Sequence, residues 1–231
     1  MSAAAALKAG CMTPEANTAK SGRTPAGRAG RQRARTHAAL VSAAQTLLAQ
    51  RRMHVTIREI TETANVGFGS FFNHFASKEE LFDEAIHVAL ANHSEVLDGL
   101  VRGVDDPARV LALGIRTTGR LQRKQPEMAR ILLHQGTRLL LDDTGLTARA
   151  RVNLVAGVKS GRFAAPPDVE FALMAILGAL LGVVQFLDAR PEADAGASAD
   201  QLAEGVLISL GVETSEARRI VREPLPPAFD I

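Results

Sequence analysis

Apolar residues along this chain recur at helical spacing, and polar residues mark where each run starts and stops. Leu40, Ala44, Leu47 and Leu48 fall at i, i+4, i+7 and i+8, one buried stripe on a helix expected from about Arg33 to Arg51. The stretch Val55 to Leu81 then carries two helix starts of one chemical kind. At Thr56 and Glu59 the spacing is that of a capping box, with Val55 and Ile60 placed as the hydrophobic staple; Ser77 and Glu80 repeat the device with Ala76 and Leu81. Between them the pattern predicts a short helix from Thr56 to Ala64, a tight turn at Asn65-Val66-Gly67 and a second short helix from Phe68 to Phe75. Ile60, Ala64, Val66, Phe71 and Phe75 point inward together, which leaves Phe68, Ser70, Phe72, Asn73 and His74 facing out.

Helical patterning continues to the end without strand alternation or repeat. A fourth helix runs from Lys78 through Leu81, Phe82, Ala85, Ile86, Ala89 and Leu90. Asp106-Pro107 opens another to about Lys124, and Gln125-Pro126 restarts it for Glu127 to Leu141, with Met128, Ile131, Leu132, Leu139 and Leu140 inward. A helix from Thr147 ends near Gly157 to Gly161, and Ala164 to Pro167 breaks the chain. Asp168 caps the most apolar segment, Val169 to Leu187; Ser198 to Gln201 is a third capping box, opening a helix that Gly211 ends. The tail from Glu213 is expected to lie outside the core.

Two short helices joined by a three- or four-residue turn form a helix-turn-helix, whose second helix enters the DNA major groove. Two exposed Phe beside Ser, Asn and His need a partner, because exposed apolar patches cost solubility. The competing structural explanation is an ordinary helical hairpin over a well-filled core. Charge favours nucleic acid: the net charge is only +2, but residues 1–55 carry nine Lys and Arg against one acid, and residues 56–231 carry eighteen against twenty-four. Arg23, Arg28, Arg31, Arg33 and Arg35 form a basic arm suited to phosphates or a minor groove, or to a solvated tail. For base reading, Ser70 and His74 are donors, Asn73 suits an adenine edge or a phosphate, and Phe68 offers apolar contact to a thymine methyl.

The run IREITETANVGFGSFFNHFASKEELF resembles the amino-terminal DNA-binding domain of the TetR family of bacterial transcriptional repressors, over roughly Arg33 to Leu90. It departs from the family at Phe72, where a Tyr commonly touches a phosphate, at Asn65, often Gly, and at Thr61, often Ala. The resemblance implies an all-α protein: a disordered basic arm (1–32), a helix-turn-helix domain (33–90, with the motif at 56–75), a helical effector-binding and dimerisation domain (91–212), and a tail (213–231). It implies phosphate contacts for Thr56, His74 and Lys78, base-facing roles for Phe68, Ser70 and Asn73, and the loss of one phosphate donor at Phe72; the first helix is expected to lend Arg35 or Thr36 to the DNA backbone. It further implies a homodimer through helices 169–189 and 199–210, palindromic double-stranded operator DNA, and a ligand pocket. Arg116, His134, Gln135 and Arg138 are polar groups on otherwise apolar helices and are the candidates to line that pocket. With no aromatic residues there, the expected effector is small and lipophilic.

Other classes find little support. No Gly-x-Ser-x-Gly, phosphate loop or His-Glu-x-x-His occurs, and the six His lack metal-ligand spacing, so no enzyme, cofactor or metal is expected. A single Cys, Cys11, rules out an internal disulfide and suits a reducing cytoplasm. The segment 169–187 is at the short limit for a membrane span and is flanked by charges, so it is expected as an interface helix. The rival from another class is a helical small-molecule or protein-binding module that has lost specific DNA binding.

Overall fold

The computed structural model describes residues 25–52, 54–136, 145–164 and 168–226, of which 25–28 and 135 by backbone alone. All regular elements among the described residues are helices: α1 (Pro25–Ala49), α2 (Ile57–Thr63), α3 (Phe68–Phe71), α4 (Lys78–Val101), α5 (Pro107–Lys124), α6 (Pro126–Gln135), α7 (Gly145–Lys159), α8 (Val169–Ala189), α9 (Ala195–Ser209) and α10 (Thr214–Val221). The chain divides into two compact units, Met1–Arg35 and Thr36–Ile231. The described part of the first is the opening of α1, exposed at every residue from Ala29 to Arg35. The arm up to residue 24, Arg23 included, lies outside the described residues, as do Leu139, Leu140 and the end of the tail from 227.

In the second unit, the local chemistry of α2 to α4 follows the capping pattern. Thr56 Oγ1 accepts from the Glu59 amide at 3.2 Å, and Glu59 Oε2 accepts from the Thr56 amide at 2.9 Å. Ser77 likewise accepts from the Glu80 amide at 3.1 Å, but Glu80 reaches back to the Ala76 amide at 2.7 Å, one residue earlier than a capping box requires. In the turn, Asn65 takes the left-handed conformation (φ 53°), while Gly67 stays in extended backbone (φ −64°) and caps α3. Asn tolerates that region because its short side chain adds little crowding.

Two hydrophobic clusters form the core. The first gathers Leu40, Leu47, Ile60, Phe71, Phe75, Leu81 and Phe82 from α1 to α4 and continues into Leu121, Met128, Ile131 and Val184, so the helix-turn-helix shares its core with α5, α6 and α8. The second joins α5, α7, α8, α9 and α10 around Ile115, Leu154, Phe163, Leu173, Leu207 and Ile220. The central α5 packs closely on α9, and Gly119 explains how: a Cβ there would lie 2.6 Å from the Ala199 Cβ. Beside that contact Arg116 and Arg120, both nearly buried, converge on Asp200 of α9, each with a 2.8 Å bond to Oδ1.

Three boundaries differ from the sequence expectation. The first helix begins at Pro25 rather than at Arg33, so residues 25–32, expected in a disordered arm, are helical; Pro suits a helix start, and Ala, Arg and Gln are strong helix formers. The ninth helix opens at Ala195 on Asp194, whose carboxylate accepts from the Ala197 amide at 2.8 Å, and Ser198 instead bonds back to the Asp194 carbonyl. The segment after Glu213 is not a tail outside the core. It forms α10, which buries Ala217, Ile220 and Val221, and Leu225 beyond it is buried as well. The spacing i, i+3, i+4 of those three residues is that of a one-sided amphipathic helix.

Candidate nucleic-acid interface and ligand cavity

Phe71 and Phe75 are buried at 0% and 2% exposure and anchor the segment after α2, while Phe68 and Phe72 keep 50% and 55% of their surface in solvent. The two exposed rings meet edge to face with centroids 5.6 Å apart, and the Phe72 ring stands at 78° to that of Phe71 beneath it, centroids 5.4 Å apart. Ser70 and His74 are half-buried on the same segment, and Asn73 is exposed. The His37 ring of α1 stacks on Phe75 at 5.1 Å and meets the His74 ring edge-on at 5.7 Å, which sets the position of His74. At the other end of the motif, Lys78 Nζ donates to the carbonyl of Val55 at 3.4 Å, so the ammonium stands beside the Thr56 cap. Two residues expected at phosphates, distant in sequence, thus share one corner.

Sequence reasoning passed over two cations on this surface. The Arg58 guanidinium lies 5.9 Å from the Phe68 ring centroid, and Arg52 pairs with Glu59 at 2.9 Å. The Thr56 amide first, then its hydroxyl and Arg52, hold the Glu59 carboxyl below its ordinary value, so the acid in this face is fully ionised and committed to the cap. Arg58 stands two residues after the Thr56 cap in a helix start, where attention goes to the cap; only its proximity to an exposed ring marks it. Arg35 ends the first unit and is exposed.

A cavity of about 150 Å³ lies among α4, α5, α6, α7 and α8, walled by Leu97, Leu111, Ile115, Leu146, Ile176 and Leu180. Its polar groups are Thr118, Thr147, Asn153 and the Asp98–Arg149 ion pair. Behind Thr118, His93 of α4 is buried, with Nε2 3.2 Å from Thr118 Oγ1. Burial pushes the His93 imidazole down to about 4, so it is neutral near pH 7.

The candidates named from sequence sit elsewhere. Arg116 turns to α9 and the C-terminal segment, donating to Asp200 and, at 2.9 Å, to the Glu223 carbonyl; it does not line the cavity. His134 is exposed, and Arg138 and the Gln135 side chain lie outside the described residues. Thr118, Thr147 and Asn153 attract little notice in a sequence, and Asp98 and Arg149 are brought to the cavity by the packing of α4 against α7.

The chain is similar to known proteins over most of its length. Residues 40–85 match the family described as bacterial regulatory proteins, tetR family, and residues 106–223 match the tetracyclin repressor-like C-terminal domain. The HTH-type transcriptional repressor KstR2 of Rhodococcus jostii is 28% identical over 145 residues, covering 58% of this chain and 70% of that protein. The crystal structure of RolR in complex with resorcinol superposes with a TM-score of 0.60 at 30% identity, covering 86% of this chain and 99% of that one. The regulator FadR of Bacillus subtilis, solved with stearoyl-CoA, shares the fold with a TM-score of 0.63 at 18% identity, covering 73% of this chain and 96% of that one.

Proposed function

Because this chain belongs to the TetR family of bacterial regulatory proteins, we propose that it is a repressor that binds a palindromic operator as a homodimer and is released by a small neutral effector. That it is a DNA-binding transcriptional regulator follows from family membership; the operator geometry, the dimer and the effector are our reading. The observation that carries it is the surface of Phe68 and Phe72, exposed on the same motif as the Thr56–Lys78 corner. Thr56, His74, Lys78 and Arg35 would hold phosphates, and Phe68, Ser70, Phe72 and Asn73 would face bases, with phosphate contacts fixing register and base contacts fixing sequence.

The dimer reading rests on α8. Phe171, Met174 and Phe186 are 70%, 40% and 44% exposed along it, and Ile208 of α9 is 39% exposed. An apolar face of this kind, with Gly178, Ala179 and Gly182 allowing close approach, suits a helix pair from a second copy. By length and composition α8 would also cross a membrane, with mean hydropathy 2.1. Its other side, through Leu173, Ile176, Leu180, Val184 and Leu187, is part of the protein core, which supports the dimer instead.

Effector size follows from the cavity. A space of about 150 Å³ lined by Leu and Ile accepts a molecule the size of one six-membered ring, and Thr118 with Asn153 offers it one or two hydrogen bonds. That chemistry matches the ligand in the RolR structure, resorcinol, better than a long acyl chain. Release follows if the effector prefers a conformation whose half-site spacing does not fit DNA, and is limited by that difference in affinity. Fluorescence anisotropy on duplexes from upstream of the protein's own gene tests the reading. Two protomers per duplex, nanomolar binding that weakens steeply with salt, and release by resorcinol or a similar ring alcohol are expected. Binding as one protomer, or no release by any one-ring compound, would overturn the dimer or effector part.

A further inference from the structure

We propose that Phe68 and Phe72 act together as a reader of thymine methyl groups, so that each half-site is specified by two thymines on adjacent or next-adjacent base pairs. This deepens the DNA-binding reading above and rests on it. Neither side chain has a donor or acceptor, so neither can recognise a phosphate or a base edge by hydrogen bonding; the major-groove group that apolar contact distinguishes is the C5-methyl of thymine. Both rings are half exposed, yet neither is loose. Phe72 is held against the fully buried Phe71, and Phe68 against Phe72, with the Arg58 guanidinium 5.9 Å from the Phe68 ring centroid. Rings fixed in this way lose little freedom on binding.

Spacing agrees with DNA. The ring centroids are 5.6 Å apart, between one base step of about 3.4 Å and two of about 6.8 Å. Gly69, between the two Phe, has no atom within 4 Å of where a Cβ would stand, which leaves room for a base edge to approach the backbone. Positive charge lies on the same motif, Arg58 at the Phe68 ring and Lys78 beside the Thr56 cap, and suits the phosphates that edge a major groove. Phe72, which lacks the hydroxyl of the family's common Tyr, thereby gains a role in base reading.

The test replaces each thymine of the operator, obtained by selection from random duplexes, singly with deoxyuridine, which deletes only the methyl. Binding is measured for the wild type, Phe68→Ala and Phe72→Ala, each checked for an unchanged thermal midpoint. Two positions per half-site are expected to weaken by about fourfold in the wild type, the worth of one buried methyl. At each, the penalty should vanish in the variant lacking the ring that reads it, and remain in the other. Uniform binding of all deoxyuridine probes overturns the inference, as does a penalty that persists unchanged in both Ala variants. If selection yields no sequence at all, the DNA-binding reading itself fails and takes this inference with it.

Discussion

Asp188 joins the helix-turn-helix end of the protein to the end of α8, and replacing it with Asn should measure that link. Its side chain is 8% exposed, with Arg51 Nη2 at 2.6 Å, Gln122 Nε2 at 3.3 Å and Arg130 Nε at 3.6 Å. Arg130 also donates to the carbonyl of Ala49, the last residue of α1, at 3.2 Å. A hydrogen bond to a charged group is worth about 1.5–3 kcal/mol. Arg51 is 69% exposed, and solvent screening moves the expected loss toward the low end, about 1–2 kcal/mol. For a protein of this size that is a fall of roughly 2–8 °C in thermal midpoint. Arg51→Gly gives an internal control. Arg51 sits at φ 58°, a left-handed conformation costing a non-glycine residue about 1–2 kcal/mol. Its removal therefore takes away the ion pair and the strain together, and should change stability by less than about 1 kcal/mol. Differential scanning calorimetry of both variants makes the comparison. An Asp188→Asn midpoint within a degree of wild type would refute the link.

Other consequences are open to equally direct tests. Because burial lowers the His93 pKa from 6.5 to about 4, the unfolded state binds a proton that the folded state refuses between those values. Stability is then fully present above pH 6.5 and falls as the pH drops toward 4, by about 3 kcal/mol in all; His93→Gln should flatten thermal midpoints measured across that window, and an unchanged slope would count against it. Gly114 lines the cavity, and a Cβ there meets no atom within 4 Å. Gly114→Leu should fill the space, abolish effector-induced stabilisation and raise the effector-free midpoint, since Gly costs about 1 kcal/mol inside a helix; calorimetry with and without resorcinol reads both. Thr56→Ala should cost about 1 kcal/mol from the lost cap and weaken all duplexes alike, as seen by chemical denaturation and anisotropy.

How far the chain could be read before its structure depended on the range of each signal. The capping residues Thr56, Ser77, Asp106 and Asp168 act over three or four residues, and all four helix starts were legible. The inward set Ile60, Phe71 and Phe75 was equally plain, because aromatic spacing on short helices leaves few alternatives. The tail was misjudged because Ala217, Ile220 and Val221 make too short a stripe to stand out between charged residues and the Pro-rich stretch from Pro224. Arg116 drew attention as a polar group among the apolar positions of its helix, but its partner Asp200 lies 84 residues away, a pairing no local pattern reveals. The cavity itself is a gap between five helices, fixed by tertiary packing and bordered by unremarkable residues such as Thr118 and Gly114.

The central claim, that the surface from Thr56 to Lys78 reads a DNA sequence, is tested most directly by selection of binding sites from random duplexes with the purified chain. An inverted repeat should be enriched, its half-sites about one helical turn or a small multiple apart, with nanomolar affinity that Lys78→Ala weakens on every sequence alike. If no sequence were enriched over many rounds, the chain would be a helical ligand-binding module without specific DNA recognition, and the account would be wrong.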